Sequence, residues 1–223
     1  HPDSRPLKGR TLTFAYISIG EVWDGEHAAT KKNGNKLLIS KNKVWKSHVV
    51  DITRPEWRDA VLAKVEDAKS KGFDGVMLDT IDSPLYLAAE SRDNKRLKAV
   101  EDAAVALIHQ IRKHYPQTKI ILNRGFSILP RVAGEIDYVL AESIFAKTDV
   151  STGQFGLFPP MTYAGVAEQL QGVAAENPRL QILTLDYWNT EDVKGLERIY
   201  AAQRAQGFIP YVTTPDLRSF TPE

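Results

Sequence analysis

Five apolar runs of the chain each end on, or just before, a carboxylate or a carboxamide, at residues 14–21, 73–79, 119–123, 138–142 and 180–186. A buried strand favours Val, Ile, Leu and aromatic side chains, so an acid at its end indicates that the strand opens onto solvent or onto a site. Because the carboxyl ends of parallel strands meet on one face of a (β/α) barrel, these polar side chains are expected to share one rim.

Helix patterns separate these runs. A helix is predicted to begin at a capping box formed by Thr53 and Glu56, and further helices are predicted at about 94–114, 162–176 and after a cap at Asn189 or Thr190. Strands that alternate with helices predict a parallel sheet. The predicted fold class is therefore α/β, a (β/α)8 TIM-like barrel in a single domain over 1–223, with an open doubly wound sheet as the alternative.

The strand count falls short of a closed barrel. About seven strands are found if one of the ambiguous pieces at 37–39 and 44–50 is counted, whereas a closed barrel has about eight. A first strand is therefore expected before His1. The opening residues HPDSRP, which lack an initiator Met, also indicate a processed or excised piece of a longer protein.

Composition excludes several classes of protein. The 223 residues are 43% hydrophobic, which is enough for a sizeable core, and no apolar stretch approaches the ~20 residues that span a bilayer. The formal charge is +1, and the lysines at 31–32 and 41–46 are expected to be solvated loop charges, so no nucleic-acid partner is predicted. The absence of cysteine excludes disulfides and thiolate chemistry.

No cofactor motif is present. The chain contains no G-x-G-x-x-G, no G-x-x-x-x-G-K-[ST] and no G-x-S-x-G. His109 and His114 are five residues apart on one predicted helix, so they diverge around it and cannot share a metal ion. Neither a metal ion nor an organic cofactor is predicted.

Asp79 and Glu142 are the predicted catalytic pair. Asp79 ends the run GVMLD and has no helix immediately after it to cap. Glu142 lies between apolar residues, and the partial desolvation of such an acid favours the protonated form that a general acid requires. Glu142 is therefore the predicted proton donor. The reversed roles remain open, as does a structural ion pair of Glu142 with Arg124 or Lys147.

The other polar and aromatic residues of the rim are predicted to bind substrate. Aromatic faces pack against the C–H faces of sugar rings, and acids and amides bind sugar hydroxyls or amines. For Asp82, substrate binding and a structural role as the cap of the turn at Ser83–Pro84 are equally supported by the sequence. The predicted substrate-binding residues are Tyr16, Glu21, Asp82, Asn123, Arg124, Asp186 and Tyr187.

Four segments in order resemble a known enzyme group. AYISIGE, GFDGVMLDTID, ILNRGF and VLAESIF together resemble glycoside hydrolase family 114 and the related family 166, in particular the members that act on the Pel polysaccharide of biofilms. The resemblance covers about residues 11–212. It implies a metal-free (β/α)-barrel endo-hydrolase of α-1,4-linked galactosamine or N-acetylgalactosamine polymers, with the catalytic acids at Asp79 and Glu142.

The resemblance also implies a setting for the enzyme. A periplasmic or secreted location is expected, with a deacetylase domain or export machinery as partners in a longer protein. The alternative from another class is a non-catalytic polysaccharide-binding barrel that aids export or adhesion, and a further option is a sugar-processing barrel enzyme with another linkage or sugar. Retention or inversion at the anomeric carbon depends on the separation of the two carboxyl groups, which the sequence does not give.

Overall fold

The computed structural model describes residues 6, 9, 11–24, 37–149 and 152–218. Within it the chain divides into two compact units, His1–Ile136 and Asp137–Glu223. The predicted lysine pair at 31–32 and the strand expected before His1 lie outside the described residues. Among the helices that are described, none is long and apolar enough to cross a membrane.

The first unit is built on three parallel strands in the order β1-β5-β6, which are Phe14–Ser18, Gly75–Asp79 and Lys119–Asn123. Residues of β5 and β6 are buried on both faces of the pleat, as expected for parallel strands covered by helices. The helices of this unit are α1 (Pro55–Ser70), α2 (Asp82–Glu90), α3 (Asn94–His114) and α4 (Leu129–Val132).

A small antiparallel sheet follows β1 in the first unit. Its strands, in the order β2-β4-β3, are Glu21–Trp23, Ser47–Val50 and Leu38–Asn42. The pieces counted as a possible barrel strand are therefore an antiparallel hairpin, because the short turn between β3 and β4 leaves no room for the crossover that a parallel pair needs. The indole of Trp57 on α1 donates to the carbonyl of Ile19 at 2.7 Å and fixes the helix beneath this connection.

The second unit has the same plan. Three parallel strands in the order β7-β10-β11 are Tyr138–Glu142, Gln181–Tyr187 and Ile209–Thr213. Its helices are α5 (Pro160–Glu176) and α6 (Val193–Ala205). The strands β8 (Ala146–Thr148) and β9 (Phe155–Leu157) pair as a hairpin within the segment predicted to be a Gly-rich loop.

The predicted α/β class is confirmed, while several boundaries differ. The described ranges contain six long parallel strands, three in each unit, compared with about eight in a closed barrel. Helix α2 was not predicted, because the sequence at Ser83–Pro84 looks like a turn; proline is nevertheless tolerated in the first turn of a helix.

Two predicted helix caps are wrong. The N-cap of α1 is Arg54, without a side-chain cap, and Thr53 instead donates its hydroxyl to Asp51 at 2.6 Å. The N-cap of α6 is Asp192, whose carboxylate accepts from the Gly195 amide at 3.1 Å, and Asn189 accepts from the Glu191 amide in the preceding turn. Both caps were misplaced because several Asx and Thr side chains compete for the same few amides.

We expect Gly75→Ala to destabilise the first unit by ~1–3 kcal/mol, because a Cβ at this position would lie 2.5 Å from the Lys119 carbonyl oxygen and 2.5 Å from the Phe14 ring. Gly134→Ala is the matched control, since a Cβ there meets nothing within 4 Å. Thermal or denaturant unfolding measures both. Equal stability of the two variants would contradict this account of β1-β5-β6 packing.

Candidate active site

Asp79 at the end of β5 is held by three hydrogen-bond donors. The Tyr16 hydroxyl donates to Oδ2 at 2.8 Å, while the Asn123 amide group and the Thr80 backbone N–H donate to Oδ1 at 2.8 and 2.7 Å. The donors come from β1, from the end of β6 and from the residue after β5. This arrangement fixes both oxygens of the carboxylate and presents it as an acceptor at the carboxyl edge of the three strands.

The backbone turns sharply directly after three strand ends. Thr80, Arg124 and Ser143, which follow Asp79, Asn123 and Glu142, have φ values of 69°, 56° and 51°. Left-handed backbone at non-glycine residues costs ~1–3 kcal/mol each and clusters at functional sites. This feature recurs at the ends of β5 and β6 in the first unit and of β7 in the second unit, which are the strand ends where site residues are predicted.

Thr80 is a site residue that was not predicted from the sequence. Its hydroxyl contacts the Ser18 hydroxyl at 2.7 Å and accepts from the Gly20 backbone N–H at 2.9 Å. It thereby joins the end of β1 to the residue that follows Asp79. The only sequence feature that could have indicated it is its position directly after the strand-end acid.

Asp82 and Arg124 form an ion pair beside Asp79. Arg124 Nε donates to Asp82 Oδ2 at 2.6 Å, and the Gly125 N–H donates to Asp82 Oδ1 at 2.9 Å. The guanidinium also lies 5.1 Å from the centre of the Phe126 ring. Asp82 is the first residue of α2, so it is not the loop residue that was expected to cap a turn at Ser83–Pro84. Both charged side chains are partly exposed, so they tie the start of α2 to the segment after β6 and still offer surface to a ligand.

Glu21 is buried rather than exposed in a groove. Only 5% of its surface is accessible, and its carboxylate accepts from Asn42 at 3.2 Å, from Ser83 at 2.5 Å and from Ser47. These donors belong to β3, α2 and β4. Glu21 therefore anchors the small antiparallel sheet to α2, and its role as a substrate contact stays a prediction.

In the second unit, Glu142 at the end of β7 is half-buried. The Tyr187 hydroxyl, at the end of β10, donates to Glu142 Oε1 at 2.6 Å. Each of the two acids thus accepts from a tyrosine on a neighbouring strand, but Tyr16 lies two residues before the residue opposite Asp79, and Tyr187 lies two residues after the residue opposite Glu142. The two predicted catalytic acids belong to different units, and their action as a pair stays a prediction.

Asp186 is enclosed in the second unit. It is 0% exposed; Oδ1 accepts from the backbone N–H groups of Phe145 and Ala146 at 3.1 and 2.8 Å, and Oδ2 accepts from the Gln203 side chain at 2.5 Å. Burial raises the pKa of Asp186 above its ordinary value of 3.8. Asp186 therefore ties the segment after β7 to α6, and its role in substrate binding stays a prediction.

Gln203 and Tyr163 complete this buried network. The Tyr163 hydroxyl donates to Gln203 Oε1 at 3.0 Å, and burial, with the nearby Asp186 charge, raises the pKa of Tyr163 to about 12. Gln203 was not predicted, because a glutamine inside an amphipathic helix normally faces solvent. Within the described ranges no group of three or more His, Asp or Glu side chains could hold a metal ion.

A family model for glycoside hydrolase family GH114 matches residues 5–222. The chain belongs to glycoside hydrolase family GH114. The family predicted from the four sequence segments is thus confirmed. Glycoside hydrolysis uses a pair of carboxyl groups, and the catalytic roles of the strand-end carboxylates of β5 and β7 stay predictions.

Solved structures show the same fold. The glycoside hydrolase domain of PelA from Pseudomonas aeruginosa is 29% identical, with a TM-score of 0.80, and the match covers 95% of this chain and 81% of that one. Aspergillus fumigatus Ega3 in complex with galactosamine is 15% identical, with a TM-score of 0.64 over 92% of this chain and 76% of that one. The barrel-type α/β fold predicted from the sequence is therefore confirmed.

A relative among curated proteins is an uncharacterised protein of Thermotoga maritima. It is 23% identical, and the match covers 92% of this chain. The chain spans 66% of the length of that relative.

We expect the stability of Asp186→Asn, relative to that of the wild type, to increase as the pH rises from below 3.8 through the folded pKa of Asp186. The raised pKa means that the folded state favours the neutral acid, so the wild type loses stability as Asp186 ionises, and asparagine cannot ionise. Unfolding free energies measured at steps from about pH 3 to pH 7 give the difference. A difference that stays constant over this range would contradict the raised pKa.

Proposed function

We propose that the protein is an endo-acting hydrolase of an α-1,4-linked exopolysaccharide that contains galactosamine or N-acetylgalactosamine. The observation on which this rests is the strand-end carboxylate of Asp79, held by three donors in a chain of family GH114. The likeness to the hydrolase domain of PelA and to Ega3, which was solved with galactosamine, supports the choice of sugar.

Asp79 and Glu142 divide the acid/base work. Glycoside hydrolysis needs one carboxyl group that protonates the leaving oxygen and another that attacks the anomeric carbon or activates water. Tyr16, Asn123 and Thr80 all donate to Asp79, which suits the nucleophile or base. Glu142, half-buried at the end of β7, takes the role of proton donor, and its contact with Tyr187 fixes the orientation of the acid.

The remaining site residues bind the sugar. Tyr16 is 59% exposed although its hydroxyl contacts Asp79, so its ring offers a face to a sugar. The partly exposed Asp82–Arg124 pair presents an acceptor and several donors. We further propose that the enzyme acts in the periplasm or outside the cell, where such a polymer is found, and that a deacetylase domain or export machinery cooperates with it.

We expect Glu142→Gln and Asp79→Asn each to lower the turnover of a galactosamine-rich polymer by about 10²–10⁴-fold, because each loses a group that transfers a proton or forms a bond in the reaction. Release of reducing ends measures turnover. Glu197→Gln and Asp59→Asn, which change exposed acids on α6 and α1, are the matched controls.

The possible outcomes lead to different conclusions. Unchanged turnover in both site variants would overturn the assignment of the pair. Binding of the polymer by the wild type without any cleavage would favour the alternative of a non-catalytic polysaccharide-binding barrel. Cleavage only of a polymer with another sugar or linkage would retain the glycosidase and overturn the substrate.

Tyr16→Phe and Tyr187→Phe are expected to lower kcat by about 10- to 100-fold, because each removes a hydroxyl that donates to one of the proposed catalytic carboxylates. Tyr86→Phe is the matched control, because the Tyr86 hydroxyl donates to Glu90 on the same exposed helix face. This variant should keep the kcat of the wild type. Separate values of kcat and KM distinguish the roles. A rise in KM alone would show that these tyrosines bind sugar without orienting the acids.

A further inference from the structure

The small antiparallel sheet of the first unit exposes two indole rings. Trp23, at the end of β2, is 61% exposed, and Trp45, in the turn between β3 and β4, is 64% exposed, whereas the core residue Trp57 is 2% exposed. Val44, beside Trp45, is also largely exposed. Large apolar side chains grouped on a surface mark interaction sites. Trp23, Val44 and Trp45 are called the aromatic lobe below.

The aromatic lobe is held in a defined conformation. The Asn42 side chain accepts from the backbone N–H groups of Val44 and Trp45 at 3.2 and 3.3 Å, and Lys46 closes the turn with a φ of 52°. The Asp24 N–H donates to the Lys46 carbonyl at 3.0 Å, which joins the turn to the end of β2. A pre-formed surface loses less conformational entropy when it binds a ligand.

The aromatic lobe is also close to the candidate site along the chain. Ser18 pairs in register with Asp79, and Trp23 lies five residues beyond Ser18. Even a fully extended strand of this length spans at most roughly 17 Å. The contacts of Thr80 with Ser18 and Gly20 fix the start of this segment to the residue after Asp79. A polymer bound at Asp79 can therefore reach the aromatic lobe.

The charges around the aromatic lobe distinguish free amino sugars from N-acetylated sugars. The carboxylate of Asp24 is already paired with Lys41 at 3.3 Å and with His48 at 3.0 Å. Lys43 and Lys46 add exposed cations to the same turn. Within the described part of this sheet the accessible charge is therefore mainly positive. Such a surface repels the ammonium group of a free amino sugar and tolerates a neutral N-acetylated unit.

We propose that Trp23 and Trp45 form a distal subsite that stacks on N-acetylated hexosamine units of the polymer whose cleavage takes place at Asp79. The apolar C–H face of the sugar ring covers each indole, and the surrounding lysines disfavour deacetylated units. The subsite rests on the proposed function, because its ligand is the same polymer. It would bias the enzyme toward chains that retain acetyl groups some distance from the cleavage point.

The test is binding of galactosamine oligosaccharides to chains that also contain Glu142→Gln, so that cleavage does not interfere. Trp23→Ala and Trp45→Ala are each expected to weaken the binding of long N-acetylated oligosaccharides by about 3- to 10-fold, the size of one aromatic stacking contact. The loss should be smaller for deacetylated chains of the same length. Calorimetry gives the affinities, and unchanged affinity for acetylated chains in both variants would overturn the subsite.

Further variants distinguish lost stacking from misfolding and test the role of charge. Met161→Ala, at an exposed residue of α5, is the control and should bind as the parent does. Trp23→Phe and Trp45→Phe keep an aromatic ring and should retain part of the affinity, whereas a loss equal to that of the alanine variants would contradict stacking. Lys43→Glu should shift the preference toward deacetylated chains; an unaltered preference would overturn the role of charge.

A membrane surface is the competing ligand, because indoles flanked by lysines also bind anionic lipids. Co-sedimentation with vesicles of phosphatidylglycerol and phosphatidylcholine tests it. Vesicle binding that depends on Trp23 and Trp45, without an effect on sugar affinity, would overturn the sugar subsite. If the oligosaccharides bind through the aromatic lobe but the wild type cleaves none, the proposed hydrolase activity fails while the subsite stands.

Discussion

The parallel register of β1 with β5 is the constraint from which the candidate site follows. It sets Ser18 opposite Asp79, so that Tyr16, two residues earlier on β1, reaches Oδ2 of Asp79 with its hydroxyl. The register of β6 with β5 then brings Asn123 to the other oxygen. A shift of β5 by one residue would turn the Asp79 side chain to the face opposite Tyr16 and Asn123. The orientation of one carboxylate thus depends on two strand pairings.

Two other strand-associated acids serve the fold. Glu21 is enclosed by donors from β3, β4 and α2, and Asp186 by donors from the segment after β7 and from α6. Removing a carboxylate from water is unfavourable unless several donors replace the lost solvent, and both acids have such donors. Each therefore acts as an internal tie, Glu21 for the small antiparallel sheet and Asp186 for the segment that follows β7.

Exposure distinguishes the residues that can meet a substrate. Asp79, Glu142, Asp82 and Arg124 keep accessible surface, and each has at least one partner that restricts its motion. Left-handed backbone after three strand ends adds rigidity where the side chains must be fixed. Membership in family GH114 makes a glycosidase the relevant chemistry, and glycoside hydrolysis uses two carboxyl groups.

The alternation of the six long parallel strands with the main helices, the polar strand ends and the family could be predicted from the amino-acid sequence, because apolar periodicity and short motifs are local properties of the chain. Which strand-end acids are exposed depends on the folded chain, since burial requires donors far away in sequence, such as Ser83 for Glu21 and Gln203 for Asp186. Helix α2 was not predicted because Ser83–Pro84 looks like a turn, and the caps at Arg54 and Asp192 were not predicted because several local side chains compete for the same amides. The exposed position of Trp23 and Trp45, in contrast to the buried Trp57, likewise follows from packing rather than from residue type.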